Sequence, residues 1–526
     1  MTRSNNLVKT GSLTHSKKNS FILEFQQRIK AFFNIRVTPV RAFSIFCILH
    51  LIVWIILPLL IRSQILIDSA EGLAWGFQWQ LGYYKHPFLA PWITALFVKV
   101  FRGVDLPIYL ASQLSVIICF WAVWRLARKI LPPWQALLSV ILLEANTYYN
   151  VIALQFNPNI LMLPIWALSA LVFYNAISSN KMRWWVLTGL CLGFAFNTKY
   201  EAPLLAASMF LFMLWNKESW RLFKSIGPYI AGLICILIFL PNIIWLFHHN
   251  LLAVRYGYDN LIPTVQASNL IWAHIQPVLR FVTSQLGTVL PTFVCLLSFY
   301  FFSNFRIDTR AISKFNWKFM ISIGLGPLCF ALLFALLTKS QLKGYWSYPF
   351  YSFLGLLLVS SLRPTITRSS FKKFLICLGL FQVLILFVFT LYIYRSNSYE
   401  NKVPYKAIAK DVTQQWHSRY NRPLPNVLGT RPTMAYITTY SSDHPTPYFG
   451  LNSKDSPWTN DEKIKKQGGI IVWDNGQIPS SLLKQFPHLT RIKDEIYQTQ
   501  TYSKHHQKYR LQIAFIPPAD FVSNFH

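Results

Sequence analysis

Residues 43–61 read FSIFCILHLIVWIILPLLI, nineteen positions without a formal charge. About 20 mostly apolar residues in a helix are what crossing a bilayer requires. Further apolar runs follow at about 107–124, 134–151, 160–178, 184–197, 202–215, 226–247, 281–303, 319–337, 346–361 and 374–394. Eleven candidate spans predict a polytopic α-helical membrane protein, the runs at 184–197 and 202–215 being short enough to be tilted or broken. Composition agrees. Only 13% of the 526 residues are charged, 53% are hydrophobic and 16% aromatic, whereas a soluble domain carries about a quarter charged residues. Such apolarity excludes a disordered chain. The net charge of +31 does not indicate nucleic acid, because that needs a basic stripe on one folded face. Here Lys and Arg sit in short clusters between apolar runs.

Those clusters set the orientation, since Lys and Arg gather on the cytoplasmic side of membrane spans. Up to residue 394, alternate sides of this map hold twenty-four and nine of them. The richer side begins with the basic tail 1–42, so the N-terminus is expected in the cytoplasm. Loops 62–106, 146–159 and 248–280 and all of 395–526 are then external. The run at 88–98, with Pro87, Pro91 and Trp92, must also stay outside and is expected as an interfacial helix. No short apolar core with a small-residue cleavage site follows the basic start, so no cleaved signal peptide is expected. Residues 395–526 turn polar, and their β-like runs at 426–429, 434–440, 469–473 and 511–516 predict a small α/β domain. All seven cysteines fall inside predicted spans; they read as small packing residues, with neither a disulfide framework nor zinc-ligand spacing.

The first external loop contains LIDSAEGLAWGFQWQLGYYKHPFLAPW at residues 66–92. Asp68 and Glu71 are three apart and share one helix face. An aromatic run through Tyr83 and Tyr84 follows, then Lys85 and His86 before a proline. A carboxylate that accepts a proton, aromatics that stack on a sugar and cations that stabilise a departing phosphate suit a sugar carried on a lipid phosphate. The plainer readings stand beside it: an interfacial aromatic belt, solvated carboxylates, and a lysine reaching headgroups. Lys199, Tyr200 and Glu201 end another span. Arg255 and Tyr256 occupy a third outside loop, and Lys343 and Trp346 a fourth. Glu144 and His50 lie within or near spans, where ionisable groups are costly; Glu144 is left between lining a cavity and reaching interfacial water. Gly189 and Gly193 form a GxxxG spacing that reads as close helix packing. No Walker loop, no G-x-G-x-x-G after a strand and no H-E-x-x-H is present, and the cytoplasmic loops are too short to bind a nucleotide sugar.

The order D-x-A-E, aromatic run, G-Y-Y-K-H-P resembles the first external loop of the glycosyltransferase family 39 type, the polyprenyl-phosphate-sugar-dependent membrane transferases. ALQFNPNILMLPIW at 153–166, NTKYE at 197–201 and QLKGYWSYP at 341–349 are similar to later parts of that family. The resemblance implies a C-type glycosyltransferase fold in a bacterial inner membrane with a periplasmic C-terminal domain. It implies an undecaprenyl-type phosphate sugar donor, a lipid, glycan or protein acceptor, and an inverting displacement with an external carboxylate base. The family's D-E pair falls on Asp68 and Ser69, so Asp68 or Glu71 is the base. The family's second-loop Asp falls on Asn157 or Asn159, leaving a divalent metal ion there an open option and a contact to sugar hydroxyls the simpler role. Lys85, His86, Lys199 and Arg255 are expected to bind donor phosphate. Tyr83, Tyr84, Asn157, Asn159, Tyr200, Glu201, Tyr256, Lys343 and Trp346 are expected around sugar or acceptor. The rival classes are a glycolipid transporter or flippase, which would show paired repeats and mid-membrane carboxylates, and a non-catalytic glycolipid-binding scaffold.

Overall fold

The computed structural model describes residues 38–261, 269–301, 308, 310–396, 398–474, 476–499 and 508–522. Most of the expected basic tail and residues 262–268 of the 248–280 loop lie outside the described residues. Among the described residues six helices are long and apolar enough to cross a membrane: Pro39–Ile61, Asp105–Ile130, Pro158–Ser179, Gly227–His248, Ile271–Leu297 and Arg368–Arg395. Each overlaps one expected span; residues 302–303 of the expected 281–303 span lie outside the described residues.

Five expected spans differ from single long helices. Residues 134–151 form a helix Pro133–Ile141 and then short 3-10 turns, with an 87° bend between the two halves. The cause is local. Asn146 accepts the Tyr148 N–H through its side chain, and Asn150 donates to the Glu144 carbonyl, so polar side chains compete for the bonds a continuous helix would make. Residues 319–337 bend by 44° between Lys314–Gly324 and Gly326–Thr338, where Pro327 opens the second helix and cannot continue the first. The run 346–361 carries Pro349 and resolves into a 3-10 segment, Gly344–Tyr351, and the nine-residue helix Leu354–Leu362. Met182–Phe196 and Ala202–Trp215 are the short apolar helices expected.

The GxxxG pair packs Met182–Phe196 against Gly227–His248. A methyl group on Gly189 would lie 2.5 Å from the Ala231 carbonyl oxygen, and one on Gly193 would lie 2.7 Å from Ile238 Cβ. Backbone cannot yield as a flexible side-chain tip does. Gly189→Val is therefore expected to cost roughly 1–3 kcal/mol through overpacking, read as a lowered thermal midpoint in detergent; an unchanged midpoint would show that these helices separate freely.

The expected interfacial run is the helix Leu89–Phe101, which buries Ala90, Pro91, Thr94, Ala95 and Val98 and exposes Leu96, Val100 and Phe101. It packs on the helix Ile67–Gly76, where the missing side chain of Gly76 admits the Pro91 carbonyl.

The C-terminal domain is an α/β unit around a five-stranded sheet of order β2-β1-β3-β5-β4. Its strands are β1 Asn426–Gly429, β2 Thr446–Pro447, β3 Gly469–Trp473, β4 Thr490–Gln498 and β5 Lys508–Ile516. β1 pairs in parallel with β2 and β3, and β5 pairs antiparallel with β3 and β4. Residues 434–440, expected as a strand, belong instead to the helix Arg431–Tyr440. Pro432 in its first turn favours the helix start. The β-branched residues Ile437, Thr438 and Thr439 look strand-like because the helix is buried along most of its length, between the sheet and the 62–106 loop. Ala70, Leu73 and Trp75 of that loop share one hydrophobic core with Met434, Tyr436, Trp416 and Phe515. Loop and C-terminal domain thus pack together.

Candidate active site

Asp68 and Glu71 stand one turn apart on Ile67–Gly76, whose first N–H groups have no partner within the helix. Glu400 Oε1 accepts the Ile67 N–H at 2.8 Å, a negative charge where the helix dipole favours one. The chain then folds back through an isolated bridge between Gly82 and Pro87, with the Tyr83 N–H donated to the His86 carbonyl. This reversal returns Lys85 to Glu71. Lys85 Nζ lies 2.9 and 3.0 Å from the two Glu71 oxygens, 4.8 Å from the centre of the Tyr84 ring.

A third charged group comes from the C-terminal domain. Arg431 donates from Nε to Glu71 Oε1 at 2.7 Å and from Nη2 to Glu71 Oε2 at 2.6 Å, and Nη2 also reaches Asp68 Oδ1 at 3.0 Å. Burial raises the Glu71 carboxyl, but Lys85 and Arg431 outweigh it and hold the group at about 2. Burial pulls Lys85 below its ordinary value against the opposing charge of Glu71. It pushes His86 down to about 3, with Lys199 and Lys85 adding to the effect. His86 is therefore neutral at pH 7. It offers a hydrogen bond rather than the positive charge expected for phosphate.

These groups border a cavity of about 590 Å3, within the range of small-ligand sites. Asp68, Glu71, Lys85, His86, Lys199 and Arg431 line it together, and Leu204, Leu261, Ala331, Phe334 and Leu342 supply apolar wall. Lys199 is buried and pairs with Glu201 at 2.7 Å; desolvation lowers the lysine and raises the carboxyl, each partly countered by the other. Asn157 caps Pro158–Ser179, its Oδ1 accepting the N–H groups of Asn159 and Ile160, while its Nδ2 points to Asp68 Oδ2 at 3.4 Å. Ser69, at the family's second acidic position, is buried and donates to the Phe156 carbonyl. Asn159, Tyr200, Glu201, Tyr256 and Trp346 also line the cavity. Asn159 Oδ1 and Glu201 Oε1 are buried there without a hydrogen-bond partner among the described residues.

Several expected residues stand elsewhere. Tyr83 is fully buried, stacked on Trp75 at 5.3 Å and bonded to its carbonyl; it is core. Tyr84 backs the site through a 3.2 Å bond to Glu71 instead of lining it. Arg255 is exposed and off the cavity, because Ala253, Tyr256, Gly257 and Asn260 form the inward face of the helix Leu252–Leu261. Lys343 is also off the lining, which takes Leu342, Tyr345 and Trp346 from that turn. Glu144 is buried and off the cavity lining: His50 Nδ1 lies 2.7 Å from one oxygen and Trp54 donates to the other at 3.0 Å. The residue not anticipated is Arg431. Its one sequence signal is a basic side chain two residues beyond the β-like run 426–429. The optional metal finds no suitable donor set. Both Glu71 oxygens face cations, Asp68 faces Arg431 and an amide N–H2, and among the described residues no group of three or more His, Cys, Asp or Glu could hold an ion.

Residues 85–245 match the model of the family described as dolichyl-phosphate-mannose-protein mannosyltransferase. The resemblance drawn from the sequence stands over that segment, which includes Lys85, His86, Asn157, Asn159 and Lys199; Asp68, Glu71 and Arg431 lie outside it. Among solved structures, ArnT from Cupriavidus metallidurans bound to undecaprenyl phosphate is similar at 15% identity and a TM-score of 0.47, covering 91% of this chain and 98% of that chain. Its apo state gives 14% and 0.48 over the same shares. The apo oligosaccharyltransferase of Archaeoglobus fulgidus gives 11% and 0.43, covering 82% of this chain and 69% of that chain. No curated protein matches.

Proposed function

We propose, from a chain with several membrane-crossing helices whose residues 85–245 match a family of lipid-phosphate-sugar transferases, that this protein is an inverting glycosyltransferase. It takes a sugar from a polyprenyl, undecaprenyl-type phosphate carrier at the outer face of a bacterial inner membrane. The acceptor is an envelope molecule: lipid A, core oligosaccharide, another glycan or a protein. The supporting observation is one cavity that combines a half-exposed carboxylate, Asp68, with Lys85, Lys199 and an apolar wall.

In the proposed step an acceptor hydroxyl attacks the anomeric carbon and Asp68 takes its proton. The bond from that carbon to the phosphate oxygen breaks, and its electron pair leaves with the lipid phosphate. Asp68 suits the base better than Glu71. The side chain of Asp68 is 43% exposed, whereas that of Glu71 is 4% exposed with both oxygens committed to cations. An ammonium has three donors, so Lys85 and Lys199 retain capacity for phosphate while keeping their carboxylate partners. Neutral His86 adds a hydrogen bond. Asn159, Tyr200, Tyr256 and Trp346 face sugar or acceptor.

The test is the purified full chain in nanodiscs, given undecaprenyl phosphate carrying a radiolabelled sugar together with envelope lipid extract. Label moving into a new acceptor with release of the carrier phosphate is the expected result. Counterflow of intact donor across proteoliposomes, or saturable binding without turnover, would replace the reading by transport or by a scaffold.

A further inference from the structure

We infer that Arg431 is a positioning residue through which the C-terminal domain fixes the two cavity carboxylates for reaction; this rests on the reading of the cavity as a glycosyl-transfer site. The guanidinium forks onto Glu71 with two bonds of 2.7 and 2.6 Å and bridges to Asp68 at 3.0 Å. A planar fork fixes direction as well as distance, which a lysine in its place would not do. Among the described residues Asp68 has one further side-chain partner, the 3.4 Å contact from Asn157, so the fork sets where the proposed base stands.

The fork is delivered by a firmly docked element. Arg431 opens a helix whose Thr439 donates to the Ala70 carbonyl at 3.2 Å and whose Tyr436 donates to the Ile65 carbonyl at 3.0 Å. Tyr440 accepts the Ile65 N–H at 2.9 Å and donates to Asp105 at 2.7 Å. These bonds hold the chain at Ile65, just before the Asp68–Glu71 turn, and at Ala70 within it. At the strand end just before Arg431, a side chain on Gly429 would sit 2.1 Å from the Val472 carbonyl, so β1 meets β3 closely where the chain turns to present the arginine. Sheet, helix and external loop form one continuous support.

Charge makes the support necessary. Three carboxylates, Asp68, Glu71 and Glu201, share the cavity with three cations, Lys85, Lys199 and Arg431. Lys199 is committed to Glu201. Without Arg431, Lys85 alone would face both Asp68 and Glu71, and the two like charges one turn apart would separate. A displacement of about 1 Å at a reacting group costs on the order of 10²-fold in rate.

The experiment compares the full-length wild type, Arg431→Gln and Arg431→Lys by hydrogen–deuterium exchange and by transfer kinetics. Arg431→Gln is expected to raise exchange about tenfold or more in residues 67–76 and 82–87 while β1 and β3 stay protected. It should lower kcat by about 10²-fold with the donor KM within about threefold. Arg431→Lys should recover part of the kcat, and it carries the test where Arg431→Gln does not express. A kcat within threefold of wild type in both variants, or unchanged exchange at 67–76, overturns the inference and leaves the transfer reading standing. Raised exchange in a protein whose wild type moves no sugar removes the transfer reading and keeps the clamp.

Discussion

Asp68→Asn is expected to lower kcat for sugar transfer by roughly 10²–10⁴-fold, the usual worth of a positioned general base, with the donor KM little changed. The substitution is close to isosteric. Its amide oxygen still accepts from Arg431 Nη2, which lies 3.0 Å from the present Oδ1. The cost falls on the other side, where the new NH2 meets Asn157 Nδ2, now a 3.4 Å donor to the carboxylate. That contact is long, and the Asp68 side chain is 43% exposed. Removing a solvated ion pair of this kind changes stability by about 1 kcal/mol or less. Donor affinity should persist because Lys85 and Lys199 are untouched. Single-turnover rates at saturating donor, with a thermal midpoint within a few degrees of wild type, check the prediction. A variant that turns over within tenfold of wild type would move the base away from Asp68.

How much of this was legible in the sequence depends on how far apart in the chain the cooperating residues stand. The apolar runs were readable because each helix is local. Their breaks were not, since they turn on particular hydrogen bonds, such as Asn150 to the Glu144 carbonyl, which composition does not register. Glu71 and Lys85 lie within one loop and were expected at one site, as base and phosphate contact and not as the ion pair that they form. Which of Tyr83 and Tyr84 reaches Glu71 was not readable, because it depends on the Gly82–Pro87 bridge. Arg255 was misplaced although its sequence held the answer. Positions 253, 256, 257 and 260 follow the helical i, i+3, i+4, i+7 pattern that makes one face, and 255 falls off it. Arg431 could not be paired by inspection: 360 residues separate it from Glu71, and the helix that carries it looked like a strand.

The second large effect is on stability. Glu71→Gln is expected to cost roughly 3–5 kcal/mol, as breaking a buried ion pair by removing one partner does. Glu71 is 3% exposed and receives Tyr84, Lys85 and both prongs of Arg431. A glutamine offers these donors one oxygen and turns an N–H2 toward the rest, leaving Lys85 and Arg431 close together with only Asp68 as counter-charge. The same contacts set a pH signature. Burial raises the Glu71 carboxyl, yet Lys85 and Arg431 bring it to about 2, below the value near 4.3 of an unfolded chain. A depressed carboxyl contributes stability that is fully present above the unfolded value and is lost as pH falls through the folded one. The wild-type midpoint should therefore fall between about pH 4.5 and pH 2. Over that window Glu71→Gln lacks this contribution, so the two curves converge by roughly 3 kcal/mol. The comparison subtracts the acidic groups remote from the cavity, whose surroundings are the same in both proteins. Parallel curves across that window, or a Glu71→Gln midpoint equal to wild type at pH 7, would mean that the two cations do not hold this carboxylate; the fork of Arg431 would then have nothing to fix.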